Sequence, residues 1–222
     1  MDLTVQQITQ LMWDGLLETL YMTVVSTIAA YIIGMPIGLL LTVTDKDGIK
    51  PNKTISTVLG LIVNVLRSIP FIILLVAVMP ITRAIVGTTI GSSATIVPLV
   101  IAAAPYIARM VENSIKEVDR GVIEASHSMG ASTLQIVWKV LIPEARPSLL
   151  LGAAISITTI LSYSAMAGFV GGGGLGDIAI RYGYNLGKTE IMLVMVIVLI
   201  AIVQVFQATG AWISRKNDKR IR

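Results

Sequence analysis

Residues 191–203 read IMLVMVIVLIAIV, a run without a polar residue inside a longer apolar stretch at about 189–213. A membrane-spanning helix needs about 20 mostly apolar residues. Four further stretches meet that length, at about 16–43, 55–80, 92–115 and 147–168. The chain of 222 residues is 55% hydrophobic and only 14% charged, whereas a water-soluble domain carries about 25% charged residues. The sequence therefore predicts an all-α polytopic membrane protein with five transmembrane helices.

Pro70 breaks the second stretch, and Pro98 and Pro105 break the third, so neither helix has sharply defined limits. In an alternative arrangement residues 55–66 lie along the membrane surface, because their apolar residues recur on one side of a helix. We favour this alternative, since Pro70 suits the first turn of a new helix. It also moves Arg67 from the middle of the bilayer to the headgroup level, where a charge costs less.

Lysine and arginine are distributed unevenly along the chain. Most of them lie in the loop 44–53, in the segment 109–146 and in a basic tail, 214–222, where five of the last eight residues are cationic. Positively charged loops stay in the cytoplasm. We therefore expect the N-terminus outside, the C-terminus in the cytoplasm and a long cytoplasmic loop at 119–146. The net charge of +4 fits this anchoring pattern, so no nucleic-acid partner is expected.

Several chemistries are excluded by residue type. The chain has no cysteine and a single histidine, His127, which argues against disulfides, metal sites and a catalytic triad. It also lacks the phosphate-binding pattern Gly-x-x-x-x-Gly-Lys-Ser/Thr, because the glycine run at 171–174 is followed by Leu-Gly-Asp. We therefore expect no enzyme activity, no cofactor on this chain and an energy source on a partner.

The first span carries a face of small residues at steps of three or four. Its members are Thr23, Thr27, Ala30, Gly34 and Gly38. Small faces allow helices to approach closely in lipid. This face therefore predicts close helix packing.

The cytoplasmic loop 119–146 reads DRGVIEASHSMGASTLQIVWKVLIPEAR. Asp119 is placed to cap a short helix that runs to about Met129. Gly130 is placed to end that helix, because glycine readily takes a positive φ.

A second short helix is predicted after Gly130. Ser132, with Gln135 three residues later, matches a capping box. Apolar residues follow, and we expect Pro143 to stop the helix. Two short helices that expose apolar groups to water predict a surface for a partner.

The same loop resembles a known family. Glu124-Ala125-Ser126, then Gly130, then Val140-x-Ile142-Pro143 is similar to the EAA loop of type I ABC importer permeases, with Ser126, Val140 and Ile142 as mild departures from Ala, Ile and Leu. In that family the loop is the coupling helix, which sits in a groove of the ATPase subunit. The resemblance implies ATPase docking by Glu124, Ala125, Ser126, Gly130, Ile142 and Pro143.

Other stretches resemble the methionine-importer permeases in particular. They are Arg67–Phe71, Ala104–Arg109, Ser164–Gly168 and Gly171–Tyr184, and the likeness covers most of one permease domain, residues 16–213. The resemblance implies a bacterial inner-membrane complex of two permease chains and two ATPase subunits, which hold ATP and Mg. It also implies an extracytoplasmic substrate-binding lipoprotein, with lipid around the spans.

Two groups of residues are candidates for the transport route. In the first, Ser156, Thr159 and Tyr163 share a face of the fourth span and end near Met166, which makes this face a candidate pathway lining. Helix–helix hydrogen bonding is an equally open interpretation.

The second group is a candidate outer gate, since a glycine-rich backbone can move or turn back on itself. Its members are Gly171, Gly172, Gly173, Gly174 and Asp177. A plain flexible loop is the alternative interpretation of this segment.

Three functions remain open at this stage. One is the methionine permease of an ABC importer that works by alternating access. Another keeps the architecture but carries a different small amino acid or an osmolyte. The third is a self-sufficient channel or secondary carrier. In all three, Arg109 and Glu112 are spaced to form an ion pair at the inner end of the third span.

Overall fold

The structure, a computed structural model, describes residues 4–217. Within that range the chain is helical and contains no strand. The α-helices are α1 Val5–Thr44, α2 Lys53–Ser68, α3 Phe71–Ala77, α4 Met79–Val86, α5 Ser92–Lys116, α6 Arg120–Ser128, α7 Thr133–Ile136, α8 Ile142–Glu144, α9 Arg146–Ala167, α10 Gly174–Ile178 and α11 Thr189–Asn217. Two π-helical segments, Val137–Leu141 and Ala179–Asn185, and a 3₁₀ turn, Gly168–Val170, connect some of them.

Four of the described helices, α1, α5, α9 and α11, are long and apolar enough to cross a membrane. The bent pair α2–α3 adds a fifth span if it is counted as one. The predicted all-α polytopic fold is therefore confirmed. Of the predicted tail 214–222, Lys219, Arg220 and Arg222 lie outside the described residues.

The second predicted span, 55–80, is not a single helix. The chain bends by 102° between α2 and α3, at Pro70, and a further boundary at Val78 separates α3 from α4. Pro70 has an extended backbone, with φ −57° and ψ 133°, and a proline also disfavours helical geometry in the residue before it. The break therefore falls at Pro70, where the alternative with residues 55–66 along the membrane surface placed the start of a new helix.

By its internal contacts, the chain divides into two compact units. The first consists of the residues up to Ala29, Ile69–Ala103 and Ile157–Gln207. Its core includes a cluster of buried residues from α10, the following π-helical segment and α11: Leu175, Ile178, Ala179, Ile191 and Met195. Apolar residues of α1, among them Leu11 and Leu16, pack against this cluster.

The second unit consists of Ala30–Ser68, Ala104–Ser156 and the residues from Ala208 onward. Here α1 packs tightly on α5. A Cβ added at Gly34 would lie 2.6 Å from the carbonyl oxygen of Ala104, and one at Gly38 would lie 2.5 Å from that of Ala108. Only glycine fits at such distances, so the predicted packing role of the small-residue face is confirmed.

Candidate functional site

The first half of the segment 119–146, predicted to be cytoplasmic, folds as its sequence predicts. The backbone N–H of Gly121 donates to Asp119 Oδ1 at 2.7 Å, which caps α6. The helix ends at Ser128, and Gly130 has a φ of 79°. A residue with a side chain rarely adopts this backbone conformation, so the chain turns at glycine.

The second half begins as predicted but ends differently. Ser132 N–H donates to Gln135 Oε1 at 2.8 Å and Gln135 N–H donates to Ser132 Oγ at 3.4 Å, which confirms the capping box at the start of α7. Pro143, however, does not stop the helix. It lies in the first turn of α8, directly after the π-helical segment Val137–Leu141.

The π-helical segment explains how Pro143 is tolerated. The backbone N–H of Ile142 donates to the carbonyl of Val137, five residues back, so this turn is wider than an α-helical one. A proline inside a regular α-helix clashes with the carbonyl four residues before it. The wider turn relieves that clash, and the helical path runs on to Glu144 before the turn at Ala145.

Most of the residues predicted to dock on an ATPase lie at the surface. Glu124, Ala125, Gly130 and Pro143 are exposed, and Ile142 is half-buried. Ser126 is buried, and its hydroxyl donates to the carbonyl oxygen of Val122 at 2.7 Å. In this chain alone, Ser126 therefore lies on the inner side of α6 and not on its exposed surface.

The sequence predicted exposed apolar groups on this segment but did not assign three large apolar side chains to docking. Met129 is 80% exposed, Leu134 is 70% exposed and Trp138 is 63% exposed. Large apolar side chains exposed in a segment predicted to lie in water indicate a partner surface. In the sequence, their position beside Gly130 and the capping box could have indicated a role in docking.

An ion-pair network lies at the inner end of α5. The predicted pair is confirmed: Arg109 Nη1 lies 2.5 Å from Glu112 Oε2. The buried Glu112 carboxylate also accepts from Lys116 at 2.8 Å, and Lys116 Nζ lies 2.6 Å from Asp45 Oδ2. Arg109 Nη2 in turn donates to Asn64 Oδ1 of α2 at 2.8 Å.

The network reaches the loop that follows α1. The hydrogen bond from Lys116 lowers the pKa of Asp45 below its ordinary value of 3.8, with smaller contributions from the backbone of Lys46 and from nearby positive charge. Asp47, two residues on, lies 3.4 Å from Arg120 at the start of α6. Loop 45–47 is therefore attached by ion pairs to both sides of the α5–α6 junction.

A cleft of about 540 Å³ opens between this loop and α6. Its charged and polar lining includes Asp45, Asp47, Lys116, Arg120, Glu124 and His127. His127 is exposed, as expected for a surface or interface residue. Within residues 4–217, no group of three His, Asp or Glu side chains is arranged to hold a metal ion.

The first half of the glycine-rich segment is a hydrogen-bonded turn. Gly91 N–H donates to the carbonyl of Gly171 at 2.9 Å, and the hydroxyl of Thr95 donates to the carbonyl of Gly172 at 3.1 Å. These bonds hold the turn against the start of α5. A Cβ on Gly172 would lie 2.7 Å from Thr95 Oγ1, so the contact requires glycine.

Gly173 joins this turn to the short helix α10. Its φ of 80° and ψ of −178° form a backbone conformation that is open to glycine and to few other residues. A Cβ at Gly173 would also lie 2.7 Å from Glu18 Oε2. The segment is therefore an ordered turn and not the plain flexible loop of the alternative interpretation, while the gate role of Gly173 and its neighbours stays a prediction.

Two residues of α1 cap α10. Gly174 N–H donates to Glu18 Oε2 at 2.7 Å, and Leu175 N–H donates to Thr19 Oγ1 at 2.9 Å. Both pairs are separated by 156 residues in the sequence. Sequence reasoning gave no role to Glu18 or Thr19, nor to Thr95 beside the turn.

Asp177 is the carboxylate of the predicted gate. It is buried, and it forms an ion pair with Arg181, four residues on. In this structure the Asp177 carboxylate therefore pairs with a residue of its own helical segment.

The four predicted pathway residues differ in their surroundings. Ser156 is fully buried, and its hydroxyl donates to the carbonyl of Gly152 at 2.8 Å. Thr159 and Tyr163 are half-buried, and Met166 is exposed.

Tyr163 has an aromatic neighbour. Its ring stacks on Phe71, with centroids 4.5 Å apart and planes within 4°. Phe71 was not among the predicted pathway residues, although it lies in one of the motifs that carry the resemblance.

Long apolar helices joined by a capped, bent segment with exposed apolar side chains are typical of a transporter permease. The family model described as "Binding-protein-dependent transport system inner membrane component" matches residues 34–222, and the chain belongs to this family. It is therefore a membrane component of a bacterial inner-membrane transport system and not an enzyme.

Individual relatives are similar over most of the chain. A probable D-methionine transport system permease protein, MetI, of Vibrio cholerae is 48% identical over 203 residues, which cover 91% of this chain and 90% of the relative. The D-methionine transport system permease protein MetI of Escherichia coli K12 is 53% identical over 161 residues, which cover 71% of this chain and 74% of the relative.

A solved structure of the MetNI methionine ABC transporter, in an inward-facing conformation, contains a chain that is 46% identical to this one. The match has a TM-score of 0.95 and covers 98% of this chain and 100% of that one. An amino acid ABC transporter, 21% identical with a TM-score of 0.79, shares the fold. The type I ABC importer fold is therefore confirmed, as is a place in an ABC complex with an ATPase partner and a permease dimer.

Proposed function

We propose that this chain is the permease subunit of an ATP-driven importer of methionine. The observation that carries the proposal is its 48–53% identity to permease proteins described as D-methionine transporters. The Vibrio cholerae relative matches over 203 residues, which cover 91% of this chain. Two ATPase subunits supply the energy with ATP and Mg.

The coupling segment, residues 119–146, docks on the ATPase. Glu124, Ala125 and Gly130 present its exposed bend, while Met129 and Leu134 provide apolar anchors beside it. Exposed anchors near a rigid, capped helix suit a groove on a partner, because little ordering is needed on binding.

The remaining docking residues shape the segment on either side of the bend. Ile142 and Pro143 set the return path to α9, and Ser126 faces inward with its hydroxyl bonded to the Val122 carbonyl. The exposed bend is therefore held in one shape before the ATPase binds.

Movement of the docked segment reaches the spans through rigid contacts. Asp47 meets Arg120 at the start of α6, and Lys116 meets both Asp45 and Glu112. Closure of the two ATPase subunits on ATP therefore moves α5 and loop 45–47 together with α6. Two permease chains that move in this way alternate access to a path between the two sides of the membrane.

Methionine offers a flexible thioether and a zwitterion to the path. The stacked Phe71–Tyr163 pair and the exposed Met166 provide soft, polarizable contacts for the thioether. The hydroxyl of Tyr163 supplies a polar contact to the zwitterion, with Thr159 on the same helix face. Ser156 is engaged with the Gly152 carbonyl in the present structure and joins the lining only if α9 rearranges.

The glycine turn at 171–174, with Asp177, is the outer gate and the contact for a substrate-binding lipoprotein. Glycine backbones move without side-chain barriers, and Gly173 is the joint at which the turn meets α10. Glu18 and Thr19 hold the closed position through α10. This arrangement requires the N-terminus outside the membrane and the coupling segment in the cytoplasm.

Substrate-stimulated ATP hydrolysis tests the proposal. The complex of this permease, its ATPase and its binding protein is reconstituted in proteoliposomes and supplied with L-methionine, D-methionine and a panel of other amino acids and osmolytes. We expect stimulation by methionine above all. Stimulation by another solute alone assigns that solute as cargo. Uptake by the permease alone down an ion gradient overturns the ABC mechanism and favours a secondary carrier.

A further inference from the structure

Helix α2 has an apolar surface that its own chain leaves uncovered. On one side Gly60 and Val63 are buried, and Val63 packs with Leu41 of α1 and Ala108 of α5. The remaining surface exposes large apolar side chains: Ile55, Val58, Leu61, Ile62 and Val65. Five such residues on a helix of sixteen form a patch that requires a cover.

Cations flank this apolar patch at both ends. Lys50 and Lys53 lie before and at the first residue of α2, and Arg67 lies in its last turn. All three are exposed, and none forms an ion pair in the part of the chain that the structure describes. Residues 50–68 contain no Asp or Glu. By contrast Arg109, Lys116 and Arg120 are all paired.

We propose that residues 50–68 form a docking surface for anionic phospholipid. The exposed apolar side chains enter the boundary between headgroups and acyl chains, and Lys50, Lys53 and Arg67 contact lipid phosphates. Apolar residues flanked by unpaired cations, with no carboxylate among them, complement a negatively charged leaflet. A protein partner is disfavoured because protein interfaces are depleted in lysine.

The lipid surface is connected to the coupling segment within the same unit. Asn64 of α2 accepts from Arg109, and Arg109 pairs with Glu112. Glu112 pairs with Lys116, which leads to Asp45. Lipid that fixes α2 therefore also fixes the base of the coupling segment. The proposal does not depend on which solute is carried.

The position of α2 can be measured with a fluorophore, because the chain has no cysteine of its own. Val58→Cys is labelled in the assembled transporter, with the other subunits made free of cysteine, and placed in lipid nanodiscs. We expect quenching by nitroxide-labelled lipid and none by a water-soluble quencher. Met129→Cys, on the coupling segment, is the control, and it is measured in permease reconstituted without ATPase subunits. There it should be quenched by the water-soluble quencher and not by nitroxide-labelled lipid. Shielding of Val58→Cys from both quenchers indicates a protein cover and overturns the proposal.

The preference for anionic lipid is a separate measurement. Nitroxide phosphatidylglycerol is compared with nitroxide phosphatidylcholine in the same nanodiscs, and the ratio of quenching at position 58 reports selectivity. Lys50→Gln and Lys53→Gln should each lower the ratio about fivefold, and about 0.5 M salt should reduce it towards unity.

Arg83→Gln is the matched control, because Arg83 is an exposed cation outside residues 50–68. It should leave the quenching ratio unchanged. Equal ratios in the wild-type chain and in the two lysine variants overturn the proposed role of these cations, even if α2 lies in the interface.

Discussion

Gly130 is the residue on which the bend of the coupling segment depends. Its φ of 79° lies in the left-handed region, and no neighbouring atom lies within 4 Å of a Cβ added there. Backbone conformation, and not lack of space, therefore selects glycine at this position.

Gly130→Val should uncouple transport from ATP hydrolysis. A β-branched residue in this conformation costs about 1–2 kcal/mol or more, so the segment shifts to another path. We expect uptake by cells to fall about tenfold, with normal amounts of the chain in the membrane. Gly130→Asn is the control, because asparagine tolerates positive φ, and it should retain most of the uptake. Full uptake by the valine variant would contradict a role for the bend.

Tyr163 is a residue whose neighbour became known only from the structure. Its ring stacks on Phe71, so its aromatic face and its hydroxyl make separable contributions. The stack is worth about 0.5–1.5 kcal/mol beyond the area it buries.

Tyr163→Ala should raise the KM for methionine uptake about three- to tenfold, because the stacked wall is lost. Tyr163→Phe keeps the stack and should stay close to the wild-type KM. Uptake kinetics in proteoliposomes distinguish the two variants. If both leave KM unchanged, Tyr163 is not part of the path.

Among the elements, loop 45–47 is held by charge more than by apolar packing. Lys116 joins its Asp45 to the buried Glu112 of α5. Removal of Lys116 leaves Glu112 with Arg109 alone and frees the loop from α5.

Lys116→Met should lower the stability of the detergent-solubilised complex by about 1 kcal/mol or more, since a hydrogen bond to a buried carboxylate is lost. Asp45→Asn should cost less, because that carboxylate is nearer to solvent. Thermal unfolding of the two variants measures the difference. Lys139→Met, an exposed lysine in the coupling segment, serves as control and should unfold as the wild type does.

The pH dependence of this contact has a defined sign. The pKa of Asp45 is lowered in the folded chain, so its contribution to stability is present above the ordinary value of 3.8. The contribution is lost as pH falls through the folded value, and it is therefore constant around neutral pH. We therefore expect Asp45→Asn to lower the thermal stability by the same amount at about pH 6 and at about pH 8. A difference between these two values would point to another titrating group.

For the molecule as a whole, the orientation of the termini is a prediction that rests on the distribution of lysine and arginine. The proposed mechanism requires the coupling segment on the cytoplasmic side, and an odd number of spans places the two ends of the chain on opposite sides.

Thr4→Cys and Lys216→Cys test this orientation, since the chain has no cysteine that would label in the background. In intact spheroplasts a membrane-impermeant maleimide should modify Thr4→Cys only. After permeabilisation it should modify both. Labelling of Lys216→Cys from outside, or of both positions from the same side, contradicts the five-span topology.

Local features of the coupling segment could be predicted because their causes are local. The Asp119 cap, the Ser132–Gln135 box and the positive φ of Gly130 depend on residues at most three apart. The Arg109–Glu112 pair follows from helical spacing in the same way. The prediction for Pro143 was wrong because the π-helical turn before it, which the sequence pattern does not indicate, relieves the clash.

By itself, the sequence determined that this chain is a helical membrane protein, because a bilayer requires long apolar stretches and satisfied backbone groups. It also indicated the coupling segment and its family. Only the tertiary structure decided the capping of α10 by Glu18 and Thr19, the stacking of Phe71 on Tyr163 and the uncovered face of α2. The first two join residues far apart in the chain, and the third depends on which side of α2 packs inward. No local pattern specifies these contacts, since each arises only when the helices pack.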